Sequence, residues 1–279
     1  MTIFDVHHHV GSLGIGSSDQ APAKTAGDDY ESRVALMDKY GIDIAAVMPS
    51  LQYERTEGIR DTRRVNDRIA AYRDRHVDRF PVACGTVEPL YDANVAIAEI
   101  ERMAGELSFK GIVWHSRFQG AFLDDRRMDP LIDAATAHAL LVFVHVFADS
   151  KLEAPWTLEN LAGRHGETTF VALDAFTGSG ESEAMISIAR RNANIYFETA
   201  GAFGLGRVLE RFVDAVGADR LVFGSDLYAS PPWWRVPQPL LELQASPLAE
   251  QGLLDGVLGG NAARLFGIDL RLYGGGGAR

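Results

Sequence analysis

The sequence predicts an α/β protein folded as one single-domain (β/α)8, or TIM, barrel. Eight short apolar, β-rich runs alternate with longer amphipathic ones along the whole chain. The short runs are apolar on both faces, as strands are when a parallel sheet is covered by helices. The length, 279 residues, is that of one such barrel and needs no second domain.

In chain order the strands are TIFDVHH (2–8), IDIAAVMP (42–49), FPVACGTV (80–87), FKGIVWH (109–115), LLVFVHV (140–146), TTFVALDA (168–175), NIYFETA (194–200) and RLVFGSD (220–226). Helical patterns fall between them at 28–41, 62–76, 92–107, 129–139, 157–166, 181–192 and 206–217. Several open near Asp, Thr or Glu and close near Gly or Asn, as helix termini prefer. An open doubly wound sheet is the rival fold. Against it, the turn after the first strand, VGSLGIGSSD, lacks the G-x-G-x-x-G spacing of a dinucleotide site. No linker divides the chain, so residues 1–272 are expected to form the barrel and 273–279, ending in GGGGAR, a flexible tail.

Acidic residues outnumber basic ones 38 to 27, for a net charge of -11. Nucleic-acid binding needs clustered Lys and Arg, so that partner is not expected. No apolar stretch reaches the ~18 residues of a membrane span, and the N-terminus carries no signal-peptide pattern. A cytoplasmic protein with a small-molecule substrate is the expectation. Cys84, the one cysteine, cannot form an internal disulfide and sits in an apolar run, where a small buried hydrophobe is expected.

In a barrel the active site forms where the strands end at their C-terminal side. Strand 1 ends in His7, His8 and His9, strand 4 in His115, strand 5 in His145, strand 6 in Asp174, strand 7 in Glu198 and strand 8 in Asp226. Side chains alternate along a strand, so His7 and His9 share a side about 7 Å apart, within reach of one metal ion, and His8 points the other way. His138, His76 and His165 fall in or at the ends of helices and read as structural or exposed.

FDVHHHVG, FKGIVWH, VFVHV, RLVFGSD and GNAARLFGI (260–268), in that order and spacing, resemble the amidohydrolase superfamily. More narrowly they resemble its amidohydrolase-related (amidohydrolase 2) branch, which includes aminocarboxymuconate semialdehyde and resorcylate decarboxylases and several lactone and amide hydrolases. The resemblance implies that His7, His9, His145 and Asp226 hold one divalent metal ion, usually Zn²⁺, and that Asp226 also moves a proton. Three imidazoles and a carboxylate suit zinc. Two departures matter. The two-metal members place a bridging lysine at the end of strand 4, whereas Lys110 lies near the start of that strand, which implies a single-metal site. The single-metal members usually carry a histidine at the end of strand 6, where this chain has FVALDAFTG and no histidine follows His165. Asp174 or His115 is then the expected catalytic acid or base, unless the step has been lost.

Substrate contacts are expected from the loops: Arg55 and Arg60 after strand 2, Arg117 and Phe118 after strand 4, and Tyr228, Trp233 and Trp234 after strand 8. An arginine can hold a substrate carboxylate and the aromatics can cover a planar body, although PPWW reads equally as a contact in a homo-oligomer. The leading expectation is a metal-dependent hydrolase acting on a lactone, ester or amide. The alternatives are a decarboxylase or hydratase of the same branch, and a non-catalytic barrel that lost turnover with the strand-6 histidine.

Overall fold

The computed structural model describes residues 1–11, 29–201, 205–228 and 236–273. Eight strands form one parallel sheet in sequential order: β1 (Phe4–Val10), β2 (Ile44–Pro49), β3 (Val82–Gly85), β4 (Gly111–Trp114), β5 (Leu141–His145), β6 (Phe170–Leu173), β7 (Ile195–Glu198) and β8 (Leu221–Val222). Hydrogen bonds from Val6 N to Phe223 O and from His9 N to Leu227 O join β1 to the β8 segment and close the barrel. The crossovers are α1 (Tyr30–Tyr40), α2 (Ile59–Arg75), α3 (Ala93–Gly105), α4 (Asp129–Ala137), α5 (Pro155–Arg164), α6 (Ser179–Arg191) and α7 (Leu205–Val216). Of the expected tail only Tyr273 is described.

Two apolar clusters divide the core. Phe4, Val6, Ile44, Ala46, Met48, Val113, Phe143 and Val171 fill the barrel, together with Phe266 from the C-terminal helix Asn261–Phe266. A larger cluster, including Ala45, Val47, Ile112, Trp114, Val142 and Val144, packs the outer wall against the helices. Cys84 belongs to the barrel filling and burial pushes its thiol up, which fits the expected packing role. Among the described residues no helix is long and apolar enough to cross a membrane.

One irregularity decides the site. Along β1 and β2, Phe4 pairs with Ile44 and Asp5 with Ala45, but then His8 pairs with Val47 and His9 with Met48. Three steps on β1 match two on β2, which is a bulge, and a bulge re-aims the side chains beyond it. Phe4 and Val6 point into the barrel; after the bulge His7 and His9 do as well, and His8 turns to the wall beside Phe80.

Candidate metal centre

Three imidazoles converge at the mouth. His7 and His9 face each other with Nε2 atoms 2.9 Å apart, and the His145 ring lies 5.2 and 5.7 Å from theirs. One ring nitrogen from each of His7, His9 and His145 lies within 4.8 Å of the others, in a group able to hold a metal ion. All three residues are buried.

Their other nitrogens are engaged. His9 Nδ1 faces Pro49 O at 2.8 Å and His145 Nδ1 faces Trp114 O at 3.0 Å. A carbonyl only accepts, so both Nδ1 atoms carry hydrogen and both neutral rings present an Nε2 lone pair. His7 Nδ1 faces Glu198 Oε2 at 3.1 Å, which holds a hydrogen on that nitrogen and leaves Nε2 to present a lone pair once the ring is neutral. Fixing ring and tautomer through the outer nitrogen is how proteins prepare histidines for a metal. The donor set therefore fits a divalent cation.

Carboxylates enclose the other side. Asp226 Oδ1 lies 3.4 Å from His7 Nε2 and 3.3 Å from His9 Nε2. Glu198 Oε2 also accepts from Asp174 N at 3.1 Å, while Oε1 accepts from Ala200 N. A second group able to hold a metal joins His7, Asp174 and Glu198. Asp174 and Asp226 both have left-handed backbone, φ 58° and 52°. Asp tolerates this region better than most residues, and such positions cluster at functional sites. Gly224 is required: a Cβ there would stand 2.2 Å from Glu198 Oε1 and 2.7 Å from His7 Cβ.

Burial works against charge on both sides. It pulls His9 down to about 4, against the opposing pull of Asp226. It holds His145 and His115 below the ordinary imidazole range, with the neighbouring His115 adding to the effect at His145 and Glu153 opposing it at His115. Burial, then Asp226, raises Asp174 well above the carboxylate range. His7 differs: burial lowers it, but Asp226 and Glu198 together prevail and lift it to about 10.

His115 stacks flat on His145, with centroids 3.8 Å apart at 5°. Its Nδ1 is 2.5 Å from Glu153 Oε1, which also accepts the Arg117 amide at 2.9 Å. Glu153 sits in the 3-10 turn Lys151–Glu153 after β5, where nothing in the sequence set it apart from other acidic loop residues. Tyr228 covers His9, with centroids 4.3 Å apart.

The candidate substrate residues separate. The Arg117 guanidinium lies over Phe118 and Phe147, 5.0 and 4.8 Å from their centroids, and its charge is felt at His115 and Tyr228. Arg55, expected as a substrate contact, is engaged within the protein. Its Nε pairs with Glu88 at 2.8 Å, and NH1 and NH2 donate to Tyr53 O and Leu51 O, so its fork is spent on its own loop. Arg60, in the first turn of α2, has its side chain 72% exposed and lies 3.9 Å from Glu57. Trp233 and Trp234 lie outside the described residues. His76 stacks on Tyr30 and His165 pairs with Asp129, both at helix ends away from the cluster.

Eight parallel strands with a histidine and carboxylate cluster at one mouth define the class, a (β/α)8 barrel with a candidate metal site at its strand ends. More narrowly, the chain belongs to the amidohydrolase family whose model matches residues 4–268. Solved structures similar in fold include 5-carboxyvanillate decarboxylase from Novosphingobium aromaticivorans, complexed with manganese and 4-hydroxy-3-methoxy-5-nitrobenzoic acid (TM-score 0.71, 19% identity, 96% of each chain covered). Another is 4-oxalomesaconate hydratase from Rhodopseudomonas palustris (TM-score 0.70, 15% identity, 95% of this chain and 96% of that one). A third is a probable 2-pyrone-4,6-dicarboxylic acid hydrolase from Acinetobacter baumannii with citric acid bound (TM-score 0.67, 13% identity, 96% of this chain and 100% of that one). The three chemistries differ, and the shared feature is the barrel.

Proposed function

We propose that the chain is a metal-dependent hydrolase opening a lactone, ester or amide of a small carboxylated substrate, with His7, His9, His145 and Asp226 holding one Zn²⁺. The observation that carries this reading is the convergence of three imidazoles whose outer nitrogens are all occupied by acceptors. The chemistry a bound divalent ion supplies is Lewis acidity toward a carbonyl oxygen and a water acidified to a pKa of roughly 7. Asp226, beside both His7 and His9, takes the proton of the attacking water. Asp174 keeps a proton through burial and delivers it to the leaving group, the part that a strand-6 histidine plays in the relatives the sequence resembles. Arg117, on the aromatic pair Phe118 and Phe147, holds the substrate carboxylate, and Tyr228 helps shut out water.

A lyase reading rests on one specific observation. A buried aspartic acid kept protonated can donate to carbon, as loss of CO₂ requires, and one of the similar folds is a decarboxylase.

Metal analysis after supplementation should give about one equivalent of a divalent ion per chain; less than about half an equivalent of every metal tried overturns both readings. Turnover of lactone and hydroxybenzoate panels in D₂¹⁸O then separates them. Label in the product carboxylate supports hydrolysis, whereas CO₂ release with solvent hydrogen on carbon replaces it with the lyase.

A further inference from the structure

The seam between β1 and β8 holds a carboxylate that the chemistry above does not use. Val6 N and His9 N donate across it to Phe223 O and Leu227 O. Between those two bonds lies the bulge of β1, and there the His7 amide donates to Asp5 Oδ1 at 3.0 Å. On the facing chain, between Phe223 and Leu227, Ser225 N donates to the same Oδ1 at 3.0 Å and Ser225 Oγ to Oδ2 at 2.5 Å. Asp5 and Ser225 are buried. The extra residue of a bulge loses its ladder partner, and a buried amide without an acceptor is costly. Asp5 supplies that acceptor and spends its remaining lone pairs on the residue before Asp226.

We infer that Asp5 is a positioning residue that clamps the two strands carrying the ligand set, fixing the bulge that turns His7 and His9 inward and the turn that presents Asp226. This rests on the metal reading above. The contacts define what the clamp needs. Both backbone amides go to Oδ1, so an asparagine keeps them, and its Nδ2 can donate to a rotated Ser225 hydroxyl. An alanine keeps none. A clamp built from hydrogen-bond acceptors therefore tolerates loss of the charge but not loss of the side chain, whereas a carboxylate acting through its charge tolerates neither.

The test measures Zn²⁺ affinity by chelator competition and the visible absorption of the Co²⁺-substituted protein, on folded samples held well below their melting temperatures. Such readouts do not move when a side chain contributes only to stability. Asp5→Ala is expected to bind metal about 10–100-fold more weakly, with an altered Co²⁺ spectrum, as loss of groups supporting a ligand does. Asp5→Asn is expected to stay within about threefold of the parent, and Ser225→Ala to lose about threefold to tenfold, the worth of one hydrogen bond. Parental affinity and spectrum in Asp5→Ala overturn the inference. So does an Asp5→Asn as weak as Asp5→Ala, because charge and not geometry would then be at work. If Asp5→Ala does not fold, an unchanged Ser225→Ala overturns it instead. Absence of metal from the parent protein overturns the metal reading itself, an outcome separate from all of these.

Discussion

The two halves of the barrel mouth are made of opposite chemistry. β1, β4 and β5 deliver His7, His9, His115 and His145, while β6, β7 and β8 deliver Asp174, Glu198 and Asp226. Burial lowers His9, His115 and His145 and raises Asp174. His7, with Glu198 on one nitrogen and Asp226 near the other, is raised instead. One half thus contributes lone pairs and the other negative potential, and the place where they meet is suited to a single cation.

The largest effect should follow from breaking the lone-pair half. His145→Ala removes one of three convergent donors and is expected to leave below about a tenth of an equivalent of metal after dialysis against the free ion at micromolar concentration. Full retention would mean that the second group, His7 with Asp174 and Glu198, holds the ion without His145.

The proton on His7 gives the next largest effect. Metal binding must expel it, so with a folded value of about 10 the affinity should rise with pH by about tenfold per unit from about pH 5 to about pH 7, one proton leaving per ion bound. Below about pH 4 His9 also protonates and the dependence steepens. Calorimetry in two buffers of different ionisation enthalpy counts the proton. No proton released at pH 7 would show that His7 is already neutral and that the halves do not meet there.

Asp174→Asn tests the carboxylate half. It leaves the three imidazoles in place and is expected to keep the metal while lowering kcat about 10²–10⁴-fold, the usual worth of positioned proton transfer. Unchanged kcat would transfer the acid role to His115, the other group the sequence offers in place of a strand-6 histidine. The Glu153 contact to its Nδ1 leaves the opposite ring nitrogen for substrate.

The barrel and the polar strand ends were legible from alternation and pattern, because eight strands apolar on both faces admit few arrangements. Which face of β1 looks inward was not. The pattern says that His7 and His9 share a side; continued from Phe4 and Val6, strict alternation would put His8 and Val10 in the barrel instead. The register shift between Asp5 and His8 reverses this, and register belongs to the pairing of two strands, not to either one. Asp5 was visible only as an acid inside an apolar run, and its purpose depends on Ser225, 220 residues away. Glu153 left no signal at all. The arginines pose a related difficulty: whether a loop arginine is available depends on partners such as Glu88 beside Arg55, which the fold chooses.

That last distinction yields the smallest and most local effect. An anionic substrate facing the carboxylate half must be held from the imidazole half, and Arg117, directly after β4, stands there on two aromatic rings. Arg117→Ala is expected to raise KM about 10–100-fold for a carboxylated substrate with kcat little changed, the range for a charge-assisted hydrogen bond. Arg55→Ala should leave KM alone and act on stability, because it strands a buried Glu88 beside Tyr53. A melting temperature lower by about 3 °C or more is the expected signature for a chain of this size. If instead Arg55→Ala raised KM and Arg117→Ala did not, the substrate carboxylate would have to enter over β2 and β3. The mouth would then be divided by which loop arginine the substrate displaces from its own partner, and not by imidazole against carboxylate.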